Sequence, residues 1–204
     1  MPMRLRRCGA DAVLVEVDSL DEVDAVRAAL ADADLPGLVE LVPAARTVLA
    51  AFQPGCGGLA RLQPVLDKID LSARTVSEPR EVVLPVHYDG PDLELVAQTA
   101  GTDVDGVVAL HTDAQYRVAF CGFAPGFGYL VGLPDVLRQP RLDNPRKRVP
   151  PGSVGIAGEF TGAYPTASPG GWRLLGRTDA TLFDSHRDPA ALLAPGDLVR
   201  FEAV

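Results

Sequence analysis

The chain has 204 residues, 47% of them apolar, and a formal net charge of −8 at pH 7, enough for one large or two small domains with proper cores. The acidic balance excludes a general nucleic-acid binder, which carries a basic footprint. No apolar run approaches the ~20 residues that cross a bilayer, and the N-terminal stretch lacks the apolar core and cleavage site of a signal peptide.

Residues 12–17, AVLVEV, are a short apolar strand candidate. Ser19 with Glu22 three positions on reads as a capping box. Leu20, Val23, Val26 and Leu30 then give helical spacing until Pro36 and Gly37 stop it. Strands are expected over 38–42 and 47–52, around a turn at 43–45. A helix is expected over 59–69, kinked or delayed by Pro64. A last strand at 72–76 would complete a split βαβ, ferredoxin-like unit. The stretch 77–80, SEPR, is the boundary, giving domains 1–80 and 81–204.

EVVLPV at 81–86 opens the second domain as a strand. Asp92 opens a helix with Leu93, Val96, Ala97 and Ala100 on one face, ended by Gly101. Asp103 caps another, with Val104, Val107, Val108 and His111 on one stripe. The short runs 116–120, 153–157, 172–176 and 198–202, bounded by Gly and Pro, point to a barrel or sandwich. The fold class is therefore α+β.

Function points to residues 120–178. This stretch holds 11 of the 20 glycines and 8 of the 18 prolines. Between Arg117 and Thr178 there are eight Lys or Arg against three acids, so an acidic chain is locally basic. Glycine admits close backbone approach and proline stiffens it. Stiff corners interleaved with arginines and aromatics describe a shaped binding surface; tight barrel corners give the same composition. Cys8, Cys56 and Cys121 are odd in number and widely spaced, with no C-x-x-C. They fit a reduced, cytoplasmic protein without a zinc site or disulfides.

These motifs carry a family resemblance. GFAPGFGYL at 122–130, RVPPGSVGIAG at 148–158, TGAYP at 161–165, SPGGW at 168–172, LGRT at 175–178 and CGADAVLVE at 8–16 resemble the family of the 5-oxoprolinase B subunit, also called KipI-like or allophanate hydrolase subunit 1. Gly128, Glu159 and Phe160 depart from the family pattern. The resemblance implies a ferredoxin-like N-terminal domain followed by a cyclophilin-like β-barrel domain. It implies one component of a hydrolase that opens a cyclic amide with ATP (and Mg²⁺). Its partner would be a related larger protein (the 5-oxoprolinase C subunit, or allophanate hydrolase subunit 2), joined by a third, the 5-oxoprolinase A subunit. KipI-type members imply the alternative of a sensor histidine kinase inhibitor acting through its barrel.

Phosphoryl transfer to an amide oxygen needs positive charge and N–H groups more than a covalent nucleophile. The only lysines are Lys68 and Lys147, and no Gly-Lys-[Ser/Thr] exists, so a Walker A loop is absent. Arg146, Lys147 and Arg148, with the amides of Gly152 and Ser153, are candidates for a charged clamp; a solvated basic loop is the plainer reading. Ser168, Gly170 and Gly171 form either an anion nest or a tight corner, and Tyr164 lies in the same run of motifs. His111 and Arg148 are the candidate catalytic residues, although a histidine on an apolar stripe is more often a packed one. Phe123, Pro125, Phe127, Tyr129 and Trp172 are candidates for partner contact, core or pocket. The three histidines fall on different elements, so no metal site is expected.

Overall fold

Alternation of valine and leucine from Ala12 buries Val13 and Val15 on one side of an extended chain. The computed structural model describes residues 3–71 and 79–204, and the chain divides into two compact units, Met1–Glu78 and Pro79–Val204. The first holds β1 (Arg4–Cys8), β2 (Ala12–Glu16), α1 (Leu20–Asp32), β3 (Leu38–Pro43), β4 (Thr47–Phe52) and α2 (Gly58–Leu66). Its strands make an antiparallel sheet in the order β1-β2-β4-β3. Val13, Val15, Val48 and Phe52 share one buried cluster with Val23, Val26, Leu30, Leu62 and Leu66 of the helices.

Ser19 caps α1 by accepting from the Glu22 amide at 3.2 Å. The Glu22 carboxylate reaches the Asp18 amide at 2.8 Å rather than that of Ser19, one residue further than a capping box requires. Pro64 lies inside α2, and that helix is only nine residues long. The expected strand at 72–76 lies outside the described residues. The place beside β2 that such a strand takes in a ferredoxin-like unit is held by β1, paired antiparallel from Arg4↔Glu16 to Cys8↔Ala12. The sequence hid β1 because Arg4, Arg6 and Arg7 break any apolar alternation.

The second unit holds β5 (Glu81–Val86), α3 (Leu93–Ala100), α4 (Val104–Asp113), β6 (Tyr116–Cys121), β7 (Gly128–Val131), β8 (Arg146–Val149), β9 (Ser153–Ala157), β10 (Phe160–Ala163), β11 (Ser168–Gly170), β12 (Arg173–Arg177) and β13 (Leu198–Ala203). Seven strands form one sheet, β12-β9-β10-β7-β6-β13-β5, antiparallel except for the parallel pair β13–β5. Just beyond β5, His87 exchanges two backbone hydrogen bonds with Arg177 of β12, at 2.8 and 2.9 Å. That bridge joins the two outer strands and nearly closes the sheet into a barrel.

Period-two alternation sends neighbouring residues to opposite faces. Leu130, Ile156 and Leu175 point to the cluster that takes the apolar faces of α3 and α4. Ala157 and Leu174 point the other way, to a second cluster with Phe127, Tyr164, Trp172 and Val149. Over this second cluster lies a two-stranded ribbon, β8 paired with β11.

Candidate functional site

The ribbon carries most of the residues singled out by their motifs. Ser168 faces Val149 across it, and Gly170 faces Arg146. Gly170 has no room for a side chain: a Cβ there would meet the Tyr164 hydroxyl. Tyr164 itself is buried beneath it at 2% exposure. Burial pushes the Tyr164 phenol up, and the nearby positive charges of Arg141 and Arg146 pull it part of the way back.

The three adjacent cations do not form one clamp. Arg146 turns inward: its Nη2 donates to both carboxylate oxygens of Asp92, at 2.7 and 2.8 Å, and its Nη1 donates to the Trp172 carbonyl at 3.3 Å. Asp92 is buried and also accepts the Leu174 amide at 2.7 Å. Arg146 is thus neutralised, and its role is to pin the ribbon to the start of α3. Lys147 and Arg148 are exposed, and neither has an ion-pair partner among the described residues. Arg141, exposed near Tyr164, adds a third cation, which sequence motifs do not single out because it stands alone beyond a proline.

The amides expected to be free are committed within the fold. Gly152 takes φ +78, donates its N–H to Tyr164 O at 2.7 Å, and accepts from Thr178 N at 2.8 Å. The Ser153 amide donates to Pro150 O at 3.3 Å, and the residue is buried. Gly171 is buried and accepts the Leu142 amide at 2.7 Å. The half-buried Ser168 turns its hydroxyl to Thr166 O at 3.4 Å. These residues shape corners that set the exposed cations.

His111 is placed away from the ribbon, fully buried within the barrel cluster and stacked on Phe201 at 4.4 Å. Thr161 donates its hydroxyl to Gly155 O at 3.1 Å and so accepts from His111 Nε2 at 3.0 Å. His111 Nδ1 is then left to accept from Tyr88 at 2.7 Å. Burial drives its pKa down from 6.5 to about 3. A neutral imidazole with both nitrogens occupied is a strut across the barrel, with no access to a reacting group. The Cys121 thiol is likewise pushed up by burial, which withdraws it from nucleophilic chemistry.

The aromatics split into floor and cap. Phe127, Tyr164 and Trp172 are buried, and Phe127 makes edge contacts with Phe123, Tyr129, Tyr164 and Trp172 at 5.0–5.4 Å. Phe123 stands on this floor, yet it is 60% exposed and has φ +70, the one non-glycine residue with positive φ among those described. Pro125, next to it in the β6–β7 loop, is exposed as well. A phenylalanine held in a left-handed conformation and left in water is a costly arrangement. Chemically, the surface joins exposed cations to an apolar cap. It suits an anionic group and a protein neighbour. Among the described residues no group of three His, Cys, Asp or Glu is placed to hold a metal ion.

Comparison with known proteins agrees with this architecture. Residues 3–193 match the family model described as carboxyltransferase domain, subdomain C and D, and the chain belongs to that family, together with proteins named as the B subunit of 5-oxoprolinase. The protein of that name from Escherichia coli O157:H7 is 43% identical over 172 residues, which are 82% of this chain and 79% of the relative. Among solved structures, TTHA0988 superposes with a TM-score of 0.82 at 37% identity, over 95% of this chain; the match spans only 40% of that longer chain. The urea carboxylase of Kluyveromyces lactis shares the fold, with a TM-score of 0.78 at 22% identity, over 99% of this chain and 22% of its own.

Proposed function

We propose that this chain is one component of an ATP-dependent amide or lactam hydrolase of the 5-oxoprolinase type, with a ferredoxin-like first domain and a cyclophilin-like barrel. It is inactive alone, works in the cytoplasm, and is completed by a related larger protein, the C subunit of such an enzyme, and by a third component. The names of its relatives support the reading, since a protein named as one subunit belongs to an assembly. The observation that carries it is Lys147 and Arg148, held out without ion-pair partners among the described residues on a ribbon that Asp92 and Arg146 lock in place.

The fit to ATP is one of charge. Arg141, Lys147 and Arg148 present positive charge without counter-ions among the described residues, which suits phosphate oxygens, and Mg²⁺ would arrive with the nucleotide. Bound ATP would supply the phosphoryl group that activates an amide oxygen. This chain's residues hold and orient the anionic end of the ligand, with Arg148 nearest to the catalytic role. His111, Gly152, Ser153, Tyr164, Gly170 and Gly171 keep the ribbon and barrel in shape. Phe123 and Pro125 meet the larger partner, and the acid–base groups come from that side of the assembly.

The exposed Phe123 equally suits a binding module that caps a sensor histidine kinase. Reconstitution separates the two. With the other components present, ATP hydrolysis rises when 5-oxoproline is added; an assembled complex with no such stimulation rejects the hydrolase reading.

A further inference from the structure

We infer that the open face of the first unit's sheet is where two copies of this chain meet, strand over strand about a two-fold axis. This goes beyond the proposed hydrolase role and does not depend on it. Alternation along each strand settles what each face carries. Val13, Val15, Val48, Ala50 and Phe52 point to the cluster that takes α1 and α2, so both helices pack on that one side. The other side has Leu14 directly opposite Leu49, Ala12 opposite Ala51, and Val42 opposite Leu49 across the β3–β4 pair. These five side chains are only half-buried. The water-facing side of an antiparallel sheet is polar as a rule. Here the two central strands carry leucine and alanine on that side, and only the Glu16–Thr47 pair at one end is polar.

The charges choose the occupant. Register places Arg4 and Arg6 of β1 on the open side, opposite Glu16 and Leu14. Arg6 is paired with Glu16 at 2.7 Å, and a guanidinium can serve a second carboxylate with its remaining donors. At the far edge of the same side, Glu40 of β3 stands opposite Ala51. It is exposed, with no ion-pair partner among the described residues. The open side is thus apolar in the middle, basic along one edge and acidic along the other.

Such a surface complements itself. A two-fold axis parallel to the strands, running between β2 and β4, turns one copy over onto the other. It lays Leu14 over the partner's Leu49 and brings β1 over the partner's β3. The partner's Glu40 then falls above Cys8, one same-face step along β1 from Arg6 and within reach of an arginine across two packed sheets. A neighbour of uniformly acidic or uniformly basic surface would meet like charge at one edge.

Sedimentation equilibrium of the full chain is the test, run from about 1 to about 100 μM, with reductant present because Cys8 is exposed. A reversible monomer–dimer equilibrium is expected. Leu49→Lys puts a charge at the centre of the contact and should weaken the dimer at least ~10-fold, with near-UV circular dichroism checking that the chain is folded. Arg6→Glu and Glu40→Arg should each weaken it ~5-fold or more, because each sets like charges against one another twice, once at each edge. Mixing these two single variants restores opposite charges at both edges, so the mixture should associate more tightly than either variant alone. The charge variants decide the matter if Leu49→Lys does not fold. A chain that stays monomeric at about 100 μM overturns the inference. So does a dimer that a folded Leu49→Lys leaves intact, or one whose two charge variants gain nothing on mixing, since the copies then meet on another surface.

Discussion

Asp92 and Arg146 lie 54 residues apart in sequence and meet in a two-pronged ion pair at 2.7 and 2.8 Å. The Asp92 side chain is 9% exposed and that of Arg146 27%. The pair ties the first turn of α3 to the first residue of β8, so it decides where Lys147 and Arg148 stand. Breaking such a pair from one side strands the other charge. Asp92→Ala should therefore cost about 2–4 kcal/mol, reduced from the fully buried case by the partial exposure of Arg146. Urea denaturation of Asp92→Ala, Arg146→Ala and the double variant reads this directly. The double variant should be less destabilised than the sum of the singles.

Stability should depend on pH through His111. Its folded pKa of about 3 lies below the ordinary 6.5. Below about pH 6.5 the unfolded chain binds a proton that the folded chain refuses, so this contribution is whole above that pH. It is lost as the pH falls toward 3, at about 1.4 kcal/mol per unit. Denaturation at several pH values should show that slope in the parent. In His111→Gln the slope should be smaller by about one proton, with the shared carboxylate titrations cancelling in the difference.

Gly152→Ala distinguishes a corner from a ligand donor. The residue sits at φ +78, and a Cβ would collide with Thr178 O, a backbone atom that cannot move aside cheaply. The substitution should destabilise by ~2 kcal/mol or more. Lys147→Ala, by contrast, should leave the denaturation midpoint nearly unchanged, as exposed substitutions do.

Much of the fold was legible because burial has a period. The valines of β2 and α1, the Asp103 cap and the stripe ending at His111 all stand where their spacing puts them. Four strands of the second unit, β7, β8, β10 and β11, were not legible: each has only three or four residues, too few for a period in burial to show, and β8 is mostly charge and β11 mostly proline and glycine. The site divides in the same way. Glycine, proline and arginine density located the ribbon. Which cation would be neutralised depended on Asp92, whose side chain read as a helix opener but makes no capping bond and serves Arg146 instead.

Phe123 offers a check on the apolar cap. Phe123→Gly removes the left-handed strain of a non-glycine residue, ~1 kcal/mol, while losing ring contacts to Phe127 and Tyr164. The two effects oppose one another, so folding stability should shift by less than ~1 kcal/mol. Association with the larger protein proposed as its partner, measured by calorimetry, should weaken at least ~10-fold.

If Lys147 and Arg148, without ion-pair partners among the described residues, hold the anionic ligand from the ribbon that Asp92 locks, then ATP turnover with 5-oxoproline present depends on them in the reconstituted complex, and Arg148→Ala measures it. Turnover should fall at least ~100-fold, with the complex still assembled and the denaturation midpoint of the chain unchanged. Turnover equal to that of the parent complex would contradict it.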